Sequence, residues 1–224
     1  MYDRTASFIR QIYDSRISTP AVLDLDTNFP AWGKFSDNWE AIRDEALAVS
    51  RQLSQVPRFH EIMREQTAIS ANDGHDWRLF ILKAYGIENP KNFEACPVLA
   101  SIVAGVPEVI SASFSFMAPN KFIPPHRGPF RGVLRFYLPL VMPRLADGSP
   151  AAVLKIDGRE HRLFEGDCLL WDDTYPHEVW NRSDQTRTVL LLDVRRPNMP
   201  VDMAIFSGVL MMIVRWGIRI RGLS

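Results

Sequence analysis

The spacing of apolar residues divides the chain into a helical first half and a second half of short strands. After Asp37, a good N-cap followed three residues later by Glu40, apolar side chains recur at helical spacing at Trp39, Ile42, Ala46, Val49 and Leu53. Pro97 begins a second short helical run, which Gly105 and Pro107 end. We therefore expect residues 1–108 to be helical and irregular.

From residue 110 onward, polar and apolar positions alternate with the period of two that is typical of a strand with one buried face. Further strands are expected at 133–138, 152–156, 160–164 and 168–171, near Val179, and at 186–194. Asp157-Gly158, between two of these segments, is a dipeptide that favours a type I′ hairpin turn. Many short strands at this spacing are typical of a β-sandwich or a jelly roll.

The predicted fold class is α+β, with a double-stranded β-helix (jelly roll) core and supporting N-terminal helices. We expect one domain over residues 1–200, in which the helical part covers about 1–108 and the jelly roll about 109–200. A separate apolar and basic helix is expected at 201–224.

Composition narrows the function classes. Apolar residues make up 46% and charged residues 23% of the 224 positions, which is ordinary for a globular domain. The 26 Lys and Arg residues balance 26 Asp and Glu residues, so no positive field favours nucleic acid as a partner. Cys96 and Cys168 have no metal-ligand spacing and predict reduced thiols. The first residues carry no apolar segment typical of a secretion signal, which favours a cytoplasmic location.

Three polar residues in the β region carry the candidate chemistry. His126 lies in the turn-rich segment PPHRGP and His177 in DDTYPHE. In an antiparallel roll, strands that are far apart in the sequence become neighbours in space, so the two imidazoles can meet. Neutral imidazole is a suitable ligand for Fe(II). Arg187 begins a largely apolar strand, where a guanidinium needs an anionic partner and its fork fits a carboxylate. A cross-strand ion pair with an acidic neighbour is the alternative for Arg187.

These residues belong to a longer set of motifs: PHRGP at 125–129, LRFYL at 134–138, EGD at 165–167, DDTYPHEVW at 172–180, and the strand 187–194. Together they resemble the aspartyl/asparaginyl β-hydroxylase family of 2-oxoglutarate oxygenases, which includes lipid A acyl-chain hydroxylases. Weaker similarity reaches upstream through 29–30, 38–39, 77–80 and 96–97. The resemblance therefore covers most of the chain, and the combined motif is specific where a single histidine is not.

The resemblance implies a role for each matching position. His126 and His177 are implied to bind Fe(II), and Arg187 to pair with the distal carboxylate of the co-substrate 2-oxoglutarate. Ser115 and Arg135 are implied to assist in holding that co-substrate. The implied reaction is the hydroxylation of an unactivated C–H bond.

Two positions depart from the family pattern. Tyr137 lies in the co-substrate pocket, on the same strand face as Arg135, where the family usually has a histidine. Gly128 replaces an Asp that many oxygenases of this fold use as a third metal ligand. Members that act on peptides share this replacement, so Gly128 slightly favours an Asp/Asn-type substrate. A missing carboxylate leaves a coordination position for water or for chloride, so hydroxylation is favoured and halogenation stays open.

Several other polar residues have competing interpretations. Arg127, Arg131 and Arg162 are candidates for binding an anionic substrate, although solvated surface arginines are the favoured interpretation. Asp172 and Asp173 are expected to cap the turn before His177, and a hydrogen bond from Asp173 to a metal-bound imidazole is the alternative. The remaining histidines are expected to be structural, namely His60, His75 and His161.

The end of the chain is apolar and then basic. Residues 203–214 are apolar apart from Ser207 and Gly208, and the segment RWGIRIR follows. Twelve residues are too few to span a bilayer, which needs about twenty. Two interpretations remain equal: a helix lying on the inner, anionic face of a membrane, and a helix docked on the protein or on a second subunit.

Three functions follow from these features. The leading hypothesis is an oxygenase that hydroxylates an Asp/Asn residue, a free amino acid or a derived small molecule. The second keeps the enzyme class and has a lipid acyl chain as its substrate, which membrane attachment would favour. The third is a jelly-roll module that binds a metal or a ligand without turnover. The oligomeric state stays open.

Overall fold

Two antiparallel sheets form the centre of the structure, a computed structural model that describes residues 2–221 and the side chains of residues 4–220. The strands are β1 (Val22–Leu23), β2 (Trp77–Ala84), β3 (Ile87–Glu88), β4 (Val109–Met117), β5 (Phe122–His126), β6 (Val133–Val141), β7 (Ala152–Ile156), β8 (Arg159–His161), β9 (Leu169–Trp171), β10 (His177–Asn181) and β11 (Arg187–Arg195). Their order is β1-β9-β6-β11-β4-β2-β3 in the larger sheet and β5-β10-β7-β8 in the smaller one.

The path from β4 to β11 is that of a double-stranded β-helix. The chain passes from one sheet to the other between β4, β5, β6 and β7, and again between β8, β9, β10 and β11. The predicted jelly roll with supporting helices is thus confirmed. Asp157 and Gly158 both have positive φ, as the predicted type I′ turn requires, but the strand that follows ends at His161 instead of reaching residue 164.

The prediction that the first half is helical and irregular missed three strands, β1, β2 and β3, of which β2 is the longest. Residues 77–84 form β2, which pairs with β4 and extends the larger sheet. Helices cover one side of this sheet and the smaller sheet part of the other, so apolar residues run consecutively from Leu79 to Leu82. A strand that is partly covered on both faces does not show the alternation from which strands are predicted.

Helices cover the outer face of the larger sheet. The helices of the chain are α1 (Tyr2–Asp14), α2 (Leu25–Asn28), α3 (Gly33–Ser36), α4 (Trp39–Ser50), α5 (Phe59–Ile62), α6 (Thr67–Ser70), α7 (Pro90–Ala95), α8 (Pro97–Ala104) and α9 (Val201–Arg221), with 3-10 turns at Pro30–Trp32, Leu53–Gln55 and Arg64–Gln66. The N-cap of α4 is Asn38 and not the predicted Asp37, and α8 begins at Pro97 as predicted. Glu45 of α4 accepts hydrogen bonds from the first free N–H groups of α8.

The buried residues form two main clusters, one on each side of the larger sheet. The outer cluster joins α3, α4 and α8 to the sheet through Phe35, Ile42 and Leu99. The inner cluster lies between the two sheets and includes Tyr137 and Trp171. Arg135 lies on the same face of β6 as Tyr137, so it also points between the two sheets. The polar side chains of the candidate site are therefore surrounded by this apolar cluster.

The last helix is longer than the apolar segment suggests. Residues 201–221 form one continuous helix, α9, which extends beyond the apolar residues through Arg215 and Arg219. By length and composition alone, residues 201–220 are long and apolar enough to cross a membrane, which corrects the estimate of twelve residues. Met1 and residues 222–224, which belonged to the predicted first and last segments, lie outside the described residues.

Candidate functional site

His126 and His177 lie side by side in the smaller sheet. His126 is the last residue of β5 and His177 the first of β10, and the two residues are register partners. Their ring centroids are 4.0 Å apart. The sequence analysis placed both histidines in turn-rich segments of the β region, and each is the strand residue next to its turn; the prolines of β5 concealed the short strand that ends at His126. The two imidazoles thus lie next to each other, as the sequence analysis expected.

The hydrogen bonds of the two rings leave the same nitrogen free. Nδ1 of His126 lies 2.8 Å from the carbonyl oxygen of Pro124, and Nδ1 of His177 lies 2.9 Å from that of Tyr175. A carbonyl oxygen only accepts, so each Nδ1 carries the proton and each Nε2 keeps its lone pair for a metal. Burial lowers the pKa of His126 to about 4, and burial and the neighbouring His126 lower the pKa of His177 well below its ordinary value. Both rings are therefore neutral, as ligands must be.

A metal at this site would have two protein ligands. In the part of the chain that the structure describes, no group of three His, Cys, Asp or Glu side chains could hold a metal ion. Two imidazoles would leave the other coordination positions of such an ion to water or to small molecules.

Arg187 is a buried cation without a charged partner. It begins β11, is 2% exposed, and forms no ion pair with any described residue. Nε and Nη1 have no hydrogen-bond partner, Nη2 donates to the sulfur of Met117 at 3.5 Å, and the guanidinium carbon lies 5.7 Å from the centre of the Tyr137 ring. Burial lowers the pKa of this guanidinium. A buried guanidinium with free donors is costly unless an anion pairs with it, and the described residues provide no cross-strand ion pair for Arg187.

A cavity of about 40 Å³ connects the guanidinium with the two imidazoles. Besides His126, His177 and Arg187, its walls contain the remaining predicted residues Ser115, Arg135 and Tyr137. The Ser115 hydroxyl accepts a hydrogen bond from Nε1 of Trp77 at 3.0 Å, which leaves its own proton free to donate. The sequence analysis missed Trp77 and Trp171, which also line the cavity.

Arg135 is less available for a ligand than Arg187. Its Nε and Nη2 donate to one carboxylate oxygen of Asp193 at 3.1 and 2.9 Å, and Nη2 lies 3.3 Å from Asp173. The two carboxylates raise its pKa against the effect of burial. Arg135 therefore lines the cavity mainly as part of a buried ionic network.

Asp173 fills the space of the side chain that residue 128 lacks. A Cβ at Gly128 would lie 2.2 Å from Oδ1 of Asp173, and the Gly128 N–H donates to the Asp173 carbonyl at 2.7 Å. Burial raises the pKa of Asp173 to about 6. Its carboxylate does not bond to Nδ1 of either histidine, since both Nδ1 atoms bind carbonyls, so the alternative role of Asp173 as a partner of a metal-bound imidazole is not what the structure shows.

This contact gives a stability prediction. We expect Gly128→Asp to destabilise the fold by about 1–3 kcal/mol and not to add a third metal ligand, because Asp173 occupies the space and Arg135 holds it. Denaturant unfolding measures the loss of stability. The double variant Gly128→Ala with Asp173→Gly should recover part of the stability that Gly128→Ala alone loses, because it removes the clashing carboxylate. An unchanged unfolding free energy for Gly128→Asp would contradict this packing.

Other predicted residues lie away from the cavity. Asp172 caps the turn, accepting from the Thr174 N–H at 3.0 Å as predicted, and it also pairs with Arg131 and Arg196. Arg131 is only 4% exposed, so the interpretation as a solvated arginine was wrong for it. Five further residues do not line the cavity: Arg127, Arg162, His60, His75 and His161. Arg127 donates to the Thr174 carbonyl and Arg162 to the Pro150 carbonyl. His60 forms a hydrogen bond with Ser70.

The fold and the site define a class: a jelly-roll protein in which two neutral imidazoles face an unpaired buried guanidinium across a small cavity. The chain belongs to the aspartyl/asparaginyl beta-hydroxylase family, whose model matches residues 36–197. It is 34% identical over 183 residues to an ornithine lipid ester-linked acyl 2-hydroxylase of Rhizobium tropici, covering 82% of this chain and 63% of that protein. It is 28% identical over 169 residues to the human aspartyl/asparaginyl beta-hydroxylase, covering 72% and 20% of the two chains.

The chain thus spans less than two thirds of the length of either relative. Among solved structures, one similar chain is a predicted oxalate decarboxylase of Thermotoga maritima, at 14% identity and a TM-score of 0.38. The match covers 64% of this chain and 96% of that one. At this level the likeness carries no conclusion about the reaction.

Proposed function

We propose that this protein is an Fe(II)- and 2-oxoglutarate-dependent hydroxylase of an unactivated C–H bond. The observation that carries the proposal is the unpaired guanidinium of Arg187 beside two imidazoles with free Nε2 atoms. Its relatives are named as hydroxylases, which supports the same reaction type.

Each residue has a defined task in this proposal. His126 and His177 hold the iron through Nε2, Arg187 binds the distal carboxylate of 2-oxoglutarate, and Ser115 donates its hydroxyl proton to the same carboxylate. Trp77, Trp171 and the aliphatic walls exclude water from the cavity. When bound, iron and 2-oxoglutarate supply the oxidising power, and the protein supplies binding and orientation.

For the substrate we infer the acyl chain of a lipid. The support is the similarity to the ornithine lipid acyl hydroxylase, together with the exposed apolar face of α9, which has the character expected of a protein that acts at a lipid surface. The second candidate is an Asp/Asn side chain, which Gly128 favours because peptide-directed members of the family share this glycine. The third, a binding module without turnover, has only the fold in its favour.

An assay with substrate pools separates these candidates. We expect purified protein with Fe(II), 2-oxoglutarate and oxygen to form succinate faster when a bacterial lipid extract is added, and the extract to gain lipids with one additional oxygen atom by mass spectrometry. Asp- and Asn-containing peptides should have no such effect, and His177→Ala should form no product. Stimulation by the peptides alone would overturn the lipid substrate, and binding of iron without succinate from any pool would favour the binding module.

A further inference from the structure

Helix α9 is apolar on two opposite faces, and only one of them packs on the protein. The packed face contains Met203, Ser207 and Met211, spaced four residues apart and at most 7% exposed. Ser207 shares a hydrogen bond of 2.6 Å with the hydroxyl of Tyr13 in α1, and Arg16 pairs with Asp202 at 2.8 Å. These contacts fix the orientation of α9 on the jelly roll.

The opposite face of α9 points away from the protein. Six large apolar side chains on this face are 44–68% exposed, namely Ile205, Val209, Met212, Ile213, Trp216 and Ile220. On a helix these positions fall within one broad stripe. Phe8 of α1, the helix that packs on α9, is another exposed aromatic at 64%. An exposed apolar stripe as large as that of α9 is typical of a surface that meets lipid or another protein.

A basic pocket lies beside this stripe. A cavity of about 340 Å³ opens between the C-terminal half of α9 and the end of β11, and Arg195, Arg215 and Arg219 line it with Trp216. Arg215 donates from Nε to the Tyr85 carbonyl, which holds its guanidinium in place. None of the three arginines forms an ion pair with a carboxylate of the described residues. Three guanidinium groups without a carboxylate partner around one cavity favour an anion with several oxygens, such as a phosphate.

We propose that α9 lies on an anionic phospholipid membrane, with its exposed stripe in the acyl boundary and a lipid phosphate bound by Arg195, Arg215 and Arg219. The two observations support one occupant, since a bilayer surface offers apolar chains and phosphates side by side. Trp216, between stripe and pocket, has the residue type that favours the interface between them. This inference does not depend on the proposed reaction, although the proposed lipid substrate draws on the same exposed face of α9.

A spanning helix fits the structure less well than a surface helix. Residues 201–220 have the length and composition to span a membrane. To span, however, α9 would have to lose the Tyr13 to Ser207 hydrogen bond, the Arg16 to Asp202 ion pair and the Arg215 contact with Tyr85. It would also move Arg215 into or close to the apolar part of the bilayer, which is costly. Lying flat keeps all of these contacts.

The test is vesicle cosedimentation of the full chain, without iron or 2-oxoglutarate, on phosphatidylcholine vesicles with and without phosphatidylglycerol. We expect binding only with the anionic lipid, and weaker binding at high salt. Arg195→Gln with Arg219→Gln should weaken the apparent affinity by about tenfold or more. Ile213→Ser with Trp216→Ser should weaken it as well. Matched controls are Arg51→Gln with Arg64→Gln, and Leu47→Ser, which change exposed side chains on other surfaces and should bind as wild type.

Four results would overturn the proposal. The first is equal binding to neutral and anionic vesicles, and the second is full binding by the double arginine variant. The third is protein that alkaline carbonate fails to release from cell membranes, which would indicate a spanning helix. A stable dimer in solution that is lost in Ile213→Ser with Trp216→Ser would assign the stripe to a second copy and would overturn it too. Because binding is measured without turnover, it succeeds or fails independently of the hydroxylase assay.

Discussion

Replacing Arg187 with methionine is expected to remove 2-oxoglutarate binding and, at the same time, to leave the ligand-free protein at least as stable as the wild type. The guanidinium is buried with two unpartnered nitrogens and no carboxylate beside it, so its removal relieves an unfavourable burial. Loss of the bidentate pair with the co-substrate should cost about 2–5 kcal/mol of binding free energy, or roughly 30-fold to several-thousand-fold in affinity. Unfolding with and without 2-oxoglutarate, in the presence of Mn(II), measures both effects.

Arg131→Met is the matched control for this prediction. Arg131 is also a buried arginine, but it pairs with Asp14 and Asp172. Its removal leaves Asp172 with one partner fewer and should destabilise the fold by about 3–5 kcal/mol without changing the 2-oxoglutarate affinity of the folded protein. If Arg187→Met bound 2-oxoglutarate within threefold of wild type, the assignment of this guanidinium to the co-substrate would fail.

Replacing either His126 or His177 with alanine is expected to abolish metal binding and turnover. Only two imidazoles converge on the site in the described part of the chain, so each variant leaves a single protein ligand. Loss of a direct ligand should exceed the 10–100-fold loss of affinity that is usual for residues supporting a ligand, so we expect a loss of more than about 100-fold. Titration with Mn(II), followed by electron paramagnetic resonance, gives the affinity directly.

His60→Ala serves as the control for the histidine variants. His60 is partly buried, bonds to the Ser70 hydroxyl and does not line the cavity. It should retain the wild-type metal affinity even if it lowers stability slightly. Metal binding that survives in both His126→Ala and His177→Ala would mean that the ion binds elsewhere on the protein.

The β half of the fold could be predicted because its strands follow simple rules. Alternation identified β4 and β6, and the Asp157-Gly158 turn identified the hairpin of β7 and β8. β2 could not be found in this way, because a strand partly covered on both faces has consecutive apolar residues. β5 was concealed by Pro124 and Pro125, which are rare in strands.

The sequence predicted six of the residues that line the candidate site, but not the contacts between these residues and their neighbours. All six line one cavity, which the motifs made it reasonable to expect. The sequence could not show that Arg135 is held by Asp173 and Asp193 while Arg187 has no carboxylate, since both are arginines in apolar strands. Nor could it show that Asp173 fills the space beside Gly128, which depends on two loops far apart in the chain.

A crystal of the protein with Mn(II) and 2-oxoglutarate, measured for anomalous scattering by manganese, tests the central claim most directly. We expect one manganese peak about 2.1 Å from Nε2 of both His126 and His177. The distal carboxylate of 2-oxoglutarate should accept two hydrogen bonds from the Arg187 guanidinium. A manganese peak away from the two imidazoles, or a co-substrate whose distal carboxylate lies elsewhere, would contradict the account.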